Sequence, residues 1–198
     1  MNRFAALVML AAGLGAQSPP LKPGLYATFQ TSSGNITAVL YEKATPISVA
    51  NFIALAQGTK AWRDPKTGAM VKRPLYDNVT FHRVLPGLMI QSGDPSGTGS
   101  GNCGVTIPDE FLPTLRFDRI GRLAVANSGA PNSGGCQFFI TTDIMTQWSG
   151  NYTIFGDVVS GMEVAEKISH TRVRGDRPVD PPILVKVTIE RVSPAPRK

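Results

Sequence analysis

Between Thr80 and Val159 no apolar run outlasts a strand, because Gly, Pro, Asn or Asp interrupts each one within a few residues. An amphipathic helix needs apolar positions at i, i+3, i+4 and i+7 over ten or more residues, and that spacing does not develop here. Short strands joined by turns are what such a pattern can build. The stretch therefore argues against a helical bundle and predicts a mainly β fold. Composition agrees, with 20 Gly and 16 Pro against only 17% charged residues, the balance of a turn-rich chain. At 198 residues, 42% of them hydrophobic, the chain suffices for one closed core and gives no sign of a second domain.

Two helices are legible beside the strands. Thr45-Pro46 opens the first, with Thr45 as N-cap and Pro46 at the first helical position. Val49, Phe52, Ile53 and Ala56 then recur at helical spacing, and Gly58 ends the helix. Before it, Leu25 to Tyr41 reads as two strands turning at Ser33-Gly34. After it, residues 59 to 78 read as a polar loop. A second helix is expected over Met162 to Ser169. The last segment, Ile183 to Val192, carries Ile183, Val185, Val187 and Ile189 at period two and predicts a half-buried strand.

The first residues place Arg3 before an apolar run from Phe4 to about Leu14, followed by small residues near Ala16, the layout of a signal peptide. Residues 1–16 are therefore expected to be removed, leaving a Pro-rich linker at 17–24, a domain at 25–193 and a disordered tail at 194–198. The run is too short to span a bilayer, which takes about 20 apolar residues, so export without stable membrane insertion is the expectation. In an oxidising compartment the two cysteines, Cys103 and Cys136, could pair. With His82 and His170 as the only histidines, no Cys/His cluster has the spacing of a zinc site. The net charge of +6 comes from scattered Lys and Arg that form no phosphate-tracking stripe, which argues against a nucleic-acid partner.

The most distinctive stretch is FHRVLPGLMIQSGDPSGTGSG, residues 81 to 101. As a period-two strand, FHRV sends His82 and Val84 to one face and Phe81 and Arg83 to the other. For a lone Arg leaving an apolar neighbourhood, the ordinary explanation is an ion pair with a surface carboxylate. Its company suggests more.

Together with LAVANSGAPNSGGCQFFIT (123 to 141) and GNYTIFGDVVSGMEVAEKI (150 to 168), the stretch resembles the cyclophilin family of peptidyl-prolyl cis-trans isomerases, in its bacterial exported form. The resemblance runs from about Leu25 to Val192. It implies a closed eight-stranded antiparallel barrel with two capping helices and an active groove on the outer face. Position by position, Arg83 matches the family's catalytic arginine and His82 the histidine beside it. Leu88, Met89 and Phe139 match the walls of a proline pocket. Gln91, Ala126, Asn127 and Gln137 match groove residues that hold the substrate backbone, and Trp148 and Tyr152 match further substrate-binding residues.

The implied partners are proline-containing peptides and unfolded or exported proteins, with cyclosporin as a ligand through Trp148, on a monomer that needs no metal or other cofactor. Two departures bear on the pocket. Leu88 stands where the family usually has Phe, and the segment from Trp148 to Phe155 is one residue shorter than the family pattern, so a pocket leucine is missing or replaced by Ser149. The resemblance also brings the loop at 99–104 and the turn before Gln137 to one side of the groove. A Cys103–Cys136 disulfide is thereby expected, with two free thiols as the alternative.

Three rival readings carry less. Cys136 with His82 as a protease pair lacks any motif supplying an orienting group. GSGNCG at 99–104 satisfies G-x-G-x-x-G, but VTIPDEF follows it instead of a helix. A groove that binds proline segments without turning them over remains an alternative, and a peptide isomerisation assay separates it from an enzyme.

Overall fold

The computed structural model describes residues 21–194. The expected signal peptide, the start of the linker and most of the tail lie outside the described residues.

The predicted hairpin is β1 (Gly24–Thr31) and β2 (Gly34–Leu40), and α1 (Pro46–Ala56) follows it. The polar loop after α1 holds two short strands, β3 (Trp62–Arg63) and β4 (Met70–Val71). It also has its own anchor: Trp62 is buried and lies 4.8 Å beneath the Arg73 guanidinium. Then come β5 (Val79–Thr80), β6 (Arg83–Leu85), β7 (Met89–Ser92), β8 (Arg122–Val125), β9 (Phe138–Thr141) and a single 3-10 turn at Thr146–Trp148. The chain ends with β10 (Ile154–Ser160), α2 (Met162–Ser169), the two-residue strands β11 (Val173–Arg174) and β12 (Arg177–Pro178), and β13 (Ile183–Val192). No helix among the described residues is long and apolar enough to cross a membrane.

One antiparallel sheet carries the fold, in the order β5-β13-β1-β2-β10-β8-β9-β7-β6. It corrects the expectation of a closed eight-stranded barrel, because this is an open half-barrel of nine strands. The two ends, β5 and β6, are consecutive in the chain and separated only by Phe81 and His82. No ladder joins them. The backbone there bonds elsewhere, Phe81 N–H to the Pro182 carbonyl (2.8 Å) and Val84 N–H to the Asp176 carbonyl (2.7 Å). The break also overturns the simple alternation through FHRV. Phe81 lies in the core with Val84, and only Arg83 turns outward.

Inside the curve of the sheet the core is aromatic. Phe52 of α1 packs against Phe29, Tyr76, Phe138 and Phe155 at centroid distances of 5.1 to 5.8 Å, contacts that add about 0.5–1.5 kcal/mol per pair to the burial itself. The capping of α1 differs from expectation. Thr45 makes no side-chain cap; its hydroxyl donates back to the Tyr41 carbonyl. The Glu110 carboxylate instead accepts from the N–H groups of Ile47 (3.0 Å) and Ser48 (2.8 Å), satisfying the orphan donors of the first turn with a charge suited to that end of the helix.

β13 also departs from its pattern. Ile183 and Val185 are 40% and 41% exposed while Leu184 is fully buried. Thr31 pairs with Leu184 but Gln30 pairs with Lys186, leaving Val185 as the extra residue of a bulge. One extra residue reverses the faces on one side of it, so the alternation holds only beyond the bulge, with Val187 buried and Ile189 half-buried.

Candidate active site

Period-two alternation in the half-barrel builds the site. Val84, Ile90, Ile140 and Leu123 sit opposite one another across β6, β7, β9 and β8 and fill the interior. The next row turns outward. Arg83 faces Gln91, Gln91 faces Phe139, and Phe139 faces Ala124. Two strand spacings, about 10 Å, therefore separate the backbone of Arg83 from that of Phe139, with Gln91 between them. The Phe138-Phe139 pair shows the logic within two residues: the first ring belongs to the core, the second to the outer face.

Around Phe139 lies a second apolar cluster. Met89, Phe117, Ala124, Met145 and Ile154 are its buried floor, with Leu85, Leu88, Leu115, Ala126, Trp148 and Tyr152 packed around it. Trp148 and Tyr152 meet the Phe139 ring edge-on at 5.6 and 5.1 Å. Phe117, which no motif in the sequence signalled, stacks on Phe139 at 5.8 Å. It is held by its own backbone N–H, which donates to the hydroxyl of Ser149 (3.1 Å). Ser149 thus serves to anchor the Phe117 segment.

The polar half of the row is tied together side chain by side chain. Arg83 donates from Nε to Asp176 Oδ2 at 2.8 Å and from Nη1 to Gln91 Oε1 at 3.3 Å. Gln91 donates to Gln137 Oε1 at 2.8 Å. Gln137 in turn donates to the carbonyls of Gly101 (2.8 Å) and Gly99 (3.3 Å). The loop bearing those carbonyls is organised by Asp94, which is fully buried and accepts from the N–H groups of Ser96, Thr98, Gly99 and Gly101. Burial alone would raise the Asp94 carboxyl, but the Ser96 hydroxyl and the N–H groups of Ser96, Gly99 and Gly101 hold it below the usual carboxylate range.

His82 lies under the same loop and is only 3% exposed. A Cβ on Gly99 would stand 3.1 Å from His82 Cδ2, and Gly99 has φ +82°, so both space and backbone conformation require glycine there. Neither ring nitrogen of His82 has a hydrogen-bond partner. Burial lowers its pKa from the ordinary value, with the Asp94 carboxylate pulling the other way.

Two cavities flank Asn127. One, of about 570 Å³, is lined by Gln91, Ala126, Asn127, Gln137, Cys103 and Cys136 among others. The other, of about 380 Å³, lies against Trp148, Tyr152, Phe111 and Pro131. Asn127 is fixed between them by donating to the Asn151 carbonyl (2.8 Å) and accepting from the Gly129 N–H (3.1 Å). Cys103 and Cys136 are joined by a disulfide with their Cα atoms 6.2 Å apart. The structure thus gathers the outward-facing residues singled out in the sequence along one surface, and sets His82 beneath it.

A model of the family described as "Cyclophilin type peptidyl-prolyl cis-trans isomerase/CLD" matches residues 26–191. The chain belongs to the cyclophilin family. This cyclophilin is 44% identical to peptidyl-prolyl cis-trans isomerase A of Mycobacterium tuberculosis over 166 residues, 82% of this chain and 91% of that one. It is 41% identical to peptidyl-prolyl cis-trans isomerase B of Streptomyces anulatus over 170 residues, 84% of this chain and 97% of that one. Among solved structures, a cyclophilin-type isomerase from Cryptosporidium parvum superposes with a TM-score of 0.73 at 31% identity, covering 84% of this chain and 98% of its own. The same protein crystallised in the presence of the dipeptide Ala-Pro gives a TM-score of 0.72. Like its relatives, this cyclophilin is a peptidyl-prolyl cis-trans isomerase.

Proposed function

We propose that Arg83 is the catalytic residue of this isomerase, acting on an X-Pro bond whose proline ring rests against Met89 and Phe139. The observation that carries this is the outward row Arg83–Gln91–Phe139, which sets a tethered guanidinium in line with an apolar ring floor. Rotation about an X-Pro bond breaks amide conjugation and faces a barrier of roughly 18–20 kcal/mol. At the twisted transition state the imide nitrogen regains a lone pair and accepts a hydrogen bond that the planar ground state cannot. A donor aimed there stabilises the transition state selectively. One charge-assisted bond contributes about 1.5–3 kcal/mol, roughly ten- to over a hundredfold in rate. Arg suits the task because it stays protonated and carries its donors in a rigid plane.

Leu88, Trp148, Tyr152 and Ala126 rim the ring floor, while Gln91, Asn127 and Gln137 offer backbone partners beside it. His82 supports the loop from below. The groove is complete within one chain, which supports a monomer, and Trp148 at the rim supports binding of cyclosporin. The N-terminal Arg3 with its apolar run and the Cys103–Cys136 bond together support a role in protein folding outside the cytoplasm. The substrates would be exported or unfolded proteins with X-Pro bonds.

The test of the chemistry is a cis-to-trans assay on a short X-Pro peptide with the mature chain and Arg83→Ala. The variant should lose most of the rate enhancement, and a folded variant with full activity overturns this assignment. The test of location is fractionation of the producing cell. Recovery of an uncleaved chain with the cytoplasmic fraction refutes export.

A further inference from the structure

We infer that Asp176 is a positioning residue for Arg83, holding the guanidinium plane so that its terminal donors face the proline site. The inference rests on the proposed role of Arg83 and adds the group that aims it. Arg83 is half-exposed, with its side chain 43% accessible, and its bond to Gln91 is long at 3.3 Å. Left to that contact alone, a side chain with so many rotatable bonds would sample many orientations. The bond from Nε to Asp176 Oδ2, at 2.8 Å, takes the one guanidinium nitrogen nearest the chain and orients the planar fork beyond it.

An exposed ion pair ordinarily contributes little, since two mobile side chains must be ordered to form it. Here one partner is already placed. Asp176 lies in the turn of the β11–β12 hairpin, and its backbone carbonyl accepts from Val84 N–H at 2.7 Å, the residue next to Arg83. The adjacent Arg177 donates from Nη2 to the Thr98 carbonyl of the Asp94-organised loop. The contacts therefore form a circuit: Asp176 to Arg83, Arg83 to Gln91, Gln91 to Gln137, Gln137 to the loop, and the loop to Arg177, which the chain joins back to Asp176. Nothing in the motifs announces Asp176, which lies 93 residues from Arg83 in the chain.

The test compares kcat and KM of the mature chain, Asp176→Ala, Asp176→Asn, Arg83→Ala and the Arg83→Ala/Asp176→Ala double variant on one X-Pro peptide. Asp176→Ala keeps the backbone bond from Val84, so the hairpin stays docked. It should lower kcat about two- to fivefold with KM little changed, and Asp176→Asn, which retains an acceptor oxygen, should recover part of the loss. In the Arg83→Ala background, removing the carboxylate should cost nothing further, as a residue acting only through Arg83 requires. Asp176→Ala at the wild-type kcat, beside an impaired Arg83→Ala, overturns the positioning role alone. An equal loss in both backgrounds overturns it too, by showing that Asp176 acts independently. Full activity in Arg83→Ala itself overturns the reading beneath both.

Discussion

Gln91 and Gln137 share one hydrogen bond, Nε2 to Oε1 at 2.8 Å, and it settles which way both amides face. With its donor engaged there, Gln91 presents its oxygen to Arg83, and Gln137 sends its own donors to the Gly99 and Gly101 carbonyls. Gln91→Leu keeps the volume and removes both ends of the link, leaving Gln137 Oε1 without its partner. A loss of about three- to tenfold in kcat/KM is expected. Gln91→Glu should not rescue it, because a carboxylate has no proton for Gln137. Unchanged peptide kinetics in Gln91→Leu would remove the relay from the mechanism.

Leu88 is half-buried against the cluster around Met89 and Phe139, where a phenyl ring would offer a proline more surface. Leu88→Phe should strengthen that contact by on the order of 1 kcal/mol, about fivefold in kcat/KM. A lower kcat/KM would mean that the Trp148 and Tyr152 rings already occupy the space the larger side chain needs.

The Cys103–Cys136 bond closes a loop with a sequence separation of 33 residues, for which chain entropy gives about 3.5–4 kcal/mol of stabilisation. Titration of the denatured, unreduced protein should find no free thiol. A reductant or Cys136→Ala should lower the thermal midpoint by several degrees. Because both cysteines line the 570 Å³ cavity beside Gln137, reduction should also raise KM. Two titratable thiols per chain would refute the bond.

His82 predicts a pH dependence of stability. Burial holds it below its ordinary value of 6.5, against the pull of Asp94. The unfolded chain therefore takes up a proton near that pH which the folded chain refuses, so the contribution is intact above about pH 6.5 and declines as pH falls toward the folded value. Thermal midpoints should drop as pH falls below about 6.5, above the range of Asp94, whose lowered pKa acts below the ordinary 3.8. His82→Gln should flatten the slope. A wild-type midpoint that is constant over this range rules the effect out.

What was legible in the sequence was local. The β1–β2 hairpin, α1, α2 and the span of β13 were each marked by periodicity or punctuation within a dozen residues. The outward-facing residues of the groove were marked by three family motifs. What was not legible depends on contacts between distant segments. Glu110 caps α1 from more than 60 residues away. Phe117 joins the ring floor only because Ser149 holds its backbone. Arg122, which no motif marks, is buried with Asp157 and Asp118 at 3.0 and 2.9 Å. The bulge at Val185 needs its partner strand to be seen at all. The interruption at Phe81-His82, which ends β5 before β6 begins, is not shown by alternation alone.

β1 lies between β2, which follows it at once, and β13, which is made about 150 residues later, with Gly24 opposite Val192. A chain emerging from the ribosome can form the hairpin early, but one long edge of β1 stays unsatisfied until Ile183–Val192 is released. Until then Leu184 and Val187 are missing from the core, and the open edge invites pairing with other chains. Folding cannot be completed piece by piece as synthesis proceeds. The native state of this isomerase is thus gated by the arrival of Ile183–Val192.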